Sequence, residues 1–277
     1  MRPSKSLACL ALSAALVATA CQSGARRQEA LAYVERPVEQ LYNQAAAELD
    51  SRDYQTAILL FNEVERQHPY SEWARRSMVM TSFANYSARN YDEAIASSQR
   101  YLALHPGGSE ADYAYYLIAA SYFEQIVDVG RDQKTTELAR NALLDVSRRF
   151  PDSQYARDAS VKIDMVNDQL AGKEMEVGRW YLRHNQTLAA VNRFKTVVDD
   201  YDTTSHAPEA LHRMVESYLT LGLTGEATKS AAVLGHNYPQ SDWYRMSYRL
   251  LTNKGVDLEA EAESKRTMMQ KILPGGK

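Results

Sequence analysis

The sequence predicts an all-helical fold built from five repeated helix pairs, and three observations predict it. The first is a phrase that returns. Residues 54–71, YQTAILLFNEVERQHPYS, carry apolar side chains at Tyr54, Ala57, Ile58, Phe61 and Val64, spacings of three and four that place them on one face of a helix. Pro69 cannot continue that helix, and Ser71 stands where a hydroxyl caps the next one. The second observation is the fixed interval between a small residue and that stop. Ala57/Pro69, Ala94/Pro106, Ala139/Pro151, Ala190/Asp202 and Ala227/Pro239 are each separated by twelve positions, with Asp202 replacing proline in the fourth copy. The third is composition: 12 glycines and 8 prolines in 277 residues leave little room for sheets and long loops.

The steps between the landmark alanines are 37, 45, 51 and 37 residues. A tetratricopeptide repeat has a unit of about 34, with a small residue where the second helix packs on the first. The long middle steps read as insertions, one around Asp128–Gln133 and one as extra helix across Ala156–Leu170. The fold class is therefore a tetratricopeptide-repeat solenoid.

Taken in order, the chain begins with a segment of different character. Arg2 and Lys5 precede a fourteen-residue apolar run, Leu7 to Ala20, which is too short to span a bilayer and has the build of a signal peptide. It ends in Ala18-Thr19-Ala20-Cys21, similar to a bacterial lipobox, in which the cysteine is lipidated and becomes the new N-terminus. Ordinary cleavage after Ala20 also fits an A-x-A site. The chain has two cysteines and Cys9 lies inside the signal, so Cys21 would remain as a lone thiol in an oxidising compartment. Lipidation removes that liability, and Gln22 after it is similar to the pattern sorted to the outer membrane. Nothing after Cys21 approaches eighteen consecutive apolar residues, so anchoring would fall to acyl chains.

The expected domains are a signal peptide at 1–20, a lipidated N-terminus and tether at 21–37, three repeats over 38–152, two over 153–250, and a charged helical tail at 251–277. Within the second to fifth copies the apolar face continues through Tyr91, Ile95 and Tyr101, then Leu143 and Val146, Phe194 and Val197, and Ala231 and Leu234. Serine restarts follow at Ser109, Ser153 and Ser241. The tail sets Glu259, Glu261, Glu263, Lys265, Arg266 and Lys271 around Leu258, Met268, Met269, Ile272 and Leu273. It reads either as a terminal capping helix on the last repeat or as an arm ordered by a partner.

A net charge of −3 gives no general affinity for nucleic acid. Eighteen tyrosines against five phenylalanines favour the lining of a groove over a dry core, because tyrosine packs its ring and keeps a hydroxyl for water or ligand. The richest cluster is Tyr113, Tyr115, Tyr116 and Tyr122 on the first helix of the third repeat. Tyr42 and Tyr86 hold comparable places earlier, and first helices line the concave side of this fold.

Catalytic and metal chemistry find little support. The six histidines are scattered, with no H-E-x-x-H, and His68 and His105 are repeat positions before proline. Neither a phosphate-binding G-x-x-x-x-G-K-[ST] loop nor a G-x-S-x-G elbow occurs. Asp199, Asp200 and Asp202 read as a solvated helix end. A non-enzyme without cofactor or metal is expected.

The lipobox, the five repeats, HPYSEWARRS at 68–77, RDQ at 131–133, A-R-x-A-L at 139–143, FPDSQYARDA at 150–159 and AVNRF at 190–194, in this order, resemble the BamD (YfiO/ComL) family of outer-membrane assembly lipoproteins. The resemblance covers nearly all of Leu41–Leu250. It implies a scaffold subunit at the periplasmic face of the outer membrane, part of the machinery that inserts β-barrel proteins. The implied partners are a BamA-like central barrel subunit, held through its periplasmic domains, other assembly lipoproteins, and unfolded β-barrel substrates. Carried onto this chain, the substrate-peptide surface would include Tyr70 and Trp73 in the first inter-repeat turn, with Tyr42, Phe83, Tyr86 and Tyr116 facing the groove. Arg193 matches the position that contacts the barrel subunit. An intrachain pair with Asp199 or Glu226 is the other expectation for that arginine. Another envelope repeat lipoprotein, such as a pilus pilotin or a coordinator of cell-wall synthesis, is the alternative function.

Overall fold

The structure, a computed structural model, describes residues 36–256. The signal, Cys21, most of the tether, and the tail beyond Val256 lie outside them. Among the described residues there are eleven helices and no strand: α1 (Val38–Asp50), α2 (Tyr54–Gln67), α3 (Glu72–Ser87), α4 (Tyr91–Leu104), α5 (Ala111–Glu124), α6 (Lys134–Arg149), α7 (Gln154–Arg183), α8 (Thr187–Asp200), α9 (Ala207–Thr220), α10 (Thr224–Asn237) and α11 (Asp242–Asn253). They form the five expected pairs, α1/α2 to α9/α10, followed by α11, in the order of a tetratricopeptide-repeat solenoid.

Inside four pairs the turn is one motif. Its pivot has positive φ, at Arg52 (66°), Arg89 (63°), Asn185 (58°) and Gly222 (73°). The next amide, of Asp53, Asn90, Gln186 or Leu223, reaches back five residues to a carbonyl at 2.8–2.9 Å. The pivot's own amide reaches back three, which completes a Schellman cap and satisfies the last carbonyls of the first helix. The third pair departs from this. Residues 125–133 connect α5 to α6, and within them Gln133 folds the loop around its amide. Its Nε2 donates to the carbonyls of Asp128 and Arg131, both at 3.1 Å, while its Oε1 accepts from Thr136 at 2.9 Å.

Between pairs, an aromatic or histidine residue ends four of the second helices by leaving the helical region of the backbone. His68, His105, Tyr201 and Tyr238 have φ of −132°, −136°, −137° and −133°. Three precede a proline, which disfavours helix in the residue before it. Tyr201 takes the same conformation before Asp202, so the fourth boundary stands without proline. The insertion expected across Ala156–Leu170 is a lengthening: α7 runs unbroken for 30 residues.

The landmark alanines Ala57, Ala94, Ala139, Ala190 and Ala227 are all fully buried. A second helix sits closest to its neighbours there, and only a small side chain fits. The chain divides into two compact units, residues 36–125 with 141–160 and residues 126–140 with 161–256. The first has one core around Leu41, Leu60, Phe61 and Val64 and another around Met78, Val79, Tyr101 and Leu117. In the second unit, one core gathers Met175, Phe194, Val197 and Met214, and another Val215, Ala231 and Leu251. Burial of side chains this size, at about 1.5–3 kcal/mol each, is what holds a repeat whose helices are too short to stand alone.

Candidate functional site

In three repeats the residue two places after the restart serine is aromatic and lies against a ring of the preceding first helix. Trp73, in the first turn of α3 rather than in the turn before it, stands 4.8 Å from Tyr42, which in turn meets the edge of Phe61 at 5.5 Å. Tyr155 stacks at 5.0 Å on both Tyr113 and Tyr116, which the i, i+3 spacing places on one face of α5. Trp243 lies 5.2 Å from His212.

These contacts sort the expected substrate residues. Tyr42 and Trp73 are half-buried members of the first core, with the Arg76 guanidinium 5.8 Å over the tryptophan. Phe83 packs at the margin of both cores of the first unit and reaches Tyr113 at 6.3 Å. Tyr70 stands apart, 96% exposed. Tyr86 and Tyr116 present hydroxyls to carboxylates: Tyr116 donates to Asp158 at 2.6 Å, and Tyr86 lies 3.5 Å from Glu124, a weaker contact. Burial, then the nearby Glu124 charge, pushes the Tyr86 hydroxyl up to about 12, and burial with the Asp158 bond raises Tyr116 further. Both are donors at neutral pH.

Sequence reasoning missed Tyr155, Asp158 and Glu124. Tyr155 carried a signal, since it follows Ser153 as Trp73 follows Ser71. The two carboxylates carried none, because their partners are 42 and 38 residues away.

Arg193, on α8, pairs with neither expected acid. Its Nη1 meets Glu174 of α7 at 3.1 Å. Asp199 is held by Lys195 one helical turn away, and Glu226 by Lys229 at 2.6 Å, so local lysines occupy both. The arginine side chain is 44% exposed, so part of the fork faces outward.

A polar constellation that sequence inspection did not find lies between α9 and α11. Ser247 Oγ is 2.8 Å from His212 Nδ1, whose Nε2 is 3.5 Å from Glu216. Serine, histidine and glutamate have the identities of a hydrolytic triad, but Ser247 and His212 are fully buried beneath Trp243. Glu216 reaches the surface, but with the serine and the imidazole closed to any substrate the group acts as a clasp between helices. His68, before the first repeat proline, meets the Arg36 carbonyl at 2.9 Å through Nε2. Among the described residues no cluster of three histidine or acidic side chains could hold a metal ion, and no helix is long and apolar enough to cross a membrane.

A family model described as an outer membrane lipoprotein, YfiO, matches residues 34–245. The chain is 51% identical over 275 residues to the outer membrane protein assembly factor BamD of Caulobacter vibrioides, covering 98% of this chain and 89% of that one. The same factor of Rickettsia prowazekii is 43% identical, covering 87% and 96% of the two chains, and that of Neisseria meningitidis serogroup A 33%, covering 84% and 91%. With a model matched across most of the chain and relatives this similar over nearly their full length, the chain belongs to the YfiO family of outer membrane lipoproteins.

Proposed function

We propose that this chain is a non-catalytic scaffold subunit for assembly of β-barrel proteins in the outer membrane. It is anchored at the periplasmic face by lipid on Cys21 and works without cofactor, metal or nucleic acid. The observation that carries this reading is the 51% identity, over 98% of the chain, to a curated outer membrane protein assembly factor. Unfolded substrate segments bind the tyrosine face of the first unit, where Tyr86, Tyr116 and Tyr155 offer rings to stack on and hydroxyls that tolerate varied sequence. Tyr70 extends this surface, while Tyr42, Trp73 and Phe83 support it from the core margin. Arg193, held by Glu174, presents its remaining donors to a carboxylate on the periplasmic domains of a BamA-like subunit, a pairing in which a rigid fork fixes register. Other assembly lipoproteins join the complex.

The test is a mild-detergent pulldown of the full-length protein from its native envelope, with mass spectrometry of its partners and of its N-terminal peptide. The expected result is a stoichiometric barrel protein with periplasmic domains and an acylated Cys21. Arg193→Leu should cut its recovery several-fold with the melting transition retained, whereas Glu174→Gln, which keeps the arginine, should not. Tyr86→Ala with Tyr116→Ala should lower crosslinking to a barrel-derived C-terminal peptide. A pilus or cell-wall partner set instead would overturn the reading.

A further inference from the structure

Helix α11 is a first helix whose second helix is absent from the described residues. It opens as α3 and α7 do, with Ser241 accepting from the Trp243 amide at 3.2 Å. It closes as α1, α3, α7 and α9 do. Gly255 has φ 74°, its amide reaches back to Thr252 at 3.0 Å, and the Val256 amide reaches back five residues to Leu251 at 3.1 Å. In four repeats this same cap delivers the chain directly into a second helix, with Asp53, Asn90, Gln186 and Leu223 as its N-cap residues. Val256 occupies that place after α11.

The side chains agree with the backbone. Seven residues before each pivot, the first helix presents a residue that its second helix covers: Ala45, Ser82, Gly178 and Val215, all buried. Gly178 fits directly beneath the Phe194 ring of α8. The equivalent residue of α11 is Tyr248, which is 45% exposed. Beside it, Tyr244, Arg245 and Arg249 complete the lining of an open cleft of about 610 Å³. The face that the repeat register assigns to a second helix is the uncovered one.

We propose that this face is the docking site of the chain's own residues 257–273, which pack on α11 as the second helix of a sixth, terminal repeat. The register continues into that segment. The landmark alanine lies four residues after the N-cap position in those four repeats, and Ala260 lies four after Val256. Pro274 follows fourteen residues later, against twelve in the earlier copies. Charge is complementary: the segment carries Glu259 and Glu263, one helical turn apart, to set against Arg245, Arg249 and Lys254, of which Arg245 also pairs with Asp242 on its own helix, while Leu258, Met268, Met269, Ile272 and Leu273 offer apolar surface for the two tyrosines. A polar outer face on the closing helix is what a terminal repeat requires.

The proposal is tested by hydrogen exchange with mass spectrometry on the intact, purified chain in detergent at several protein concentrations. Amides of residues 260–272 are expected to exchange at least tenfold more slowly than in a free peptide of that sequence, independent of concentration. Arg245→Glu with Arg249→Glu should abolish most of that protection while α9 and α10 stay protected, and Glu259→Lys with Glu263→Lys, one turn apart, should restore it in that background. Free-peptide rates in the wild-type chain would overturn the proposal. So would protection that grows with concentration, which would make a second copy the occupant, or protection that survives the charge reversal unchanged.

Discussion

Gly178 sits so close to Phe194 that a Cβ built on it lies 2.9 Å from Phe194 Cδ1 and nearer still to Cε1. The phenylalanine is fully buried, so its ring cannot swing aside cheaply. Alanine gains about 1 kcal/mol over glycine in a helix, yet overpacking a core costs roughly 1–3 kcal/mol. Gly178→Ala should therefore be net destabilising by about 1 kcal/mol in urea denaturation, and Phe194→Leu should relieve it; a stabilised single variant would mean that α7 and α8 separate more easily than their packing implies. Glu63 is a second residue whose surroundings set its behaviour. The Arg66 hydrogen bond holds its carboxyl below the usual range, Gln67 adds to this, and burial opposes it. A carboxyl depressed in the folded state stabilises above its unfolded value of about 4.3, and that contribution is lost as pH falls through the folded value. Glu63→Gln should lower the urea midpoint at pH 7 and flatten its decline below about pH 4. An unchanged pH profile would show that the bond to Arg66 is solvent-screened in solution.

At the scale of the element, the serines after the repeat stops are unequal. Ser71 accepts from the Ala74 amide at 3.0 Å, and Ser153 and Ser241 accept from Tyr155 and Trp243 at 3.2 Å. Ser109, expected from the sequence to play the same part, caps nothing: α5 begins at Ala111 with Glu110 at its N-cap. The reason is visible in the spacing. Ser71, Ser153 and Ser241 follow their prolines by two residues and Ser109 follows Pro106 by three, because Gly107 and Gly108 lengthen the turn beneath Tyr101. Alanine at Ser71 or Ser241 should cost about 1 kcal/mol, and alanine at Ser109 less than about 0.5 kcal/mol. Equal losses in thermal melts of the three variants would count against the capping assignment. Helix limits of this kind were legible because caps and stops are local chemistry. The clasp of Ser247 on His212, the Arg193–Glu174 pair and the carboxylates beneath Tyr86 and Tyr116 were not, because each joins residues that only the stacking of helices brings together.

For the whole molecule, the twelve-residue interval and the recurring alanine carried the architecture, since a repeat that buries its landmark against its neighbours writes the same constraint into every copy. The period says how many units there are, and physics of nearest neighbours says how they hold: stability in such arrays is a sum of repeat terms and adjacent interfaces. Phe61 serves the core in which α1 and α2 meet α3, among Leu41, Leu60, Val64 and Ala84. Removing it in Phe61→Ala costs roughly 3–5 kcal/mol. If each repeat answers mainly to its neighbours, amides of α1 and α2 should exchange roughly a hundredfold faster or more in this variant, while those of α9 and α10 keep their wild-type rates. The converse follows for Phe194→Ala, which opens the core shared with Met175, Val197 and Met214 and should leave α1 and α2 untouched. Acceleration of equal size in every helix, in either variant, would instead make the chain one cooperative block, and a lesion in any repeat would then disable the tyrosine face and the Arg193 face together.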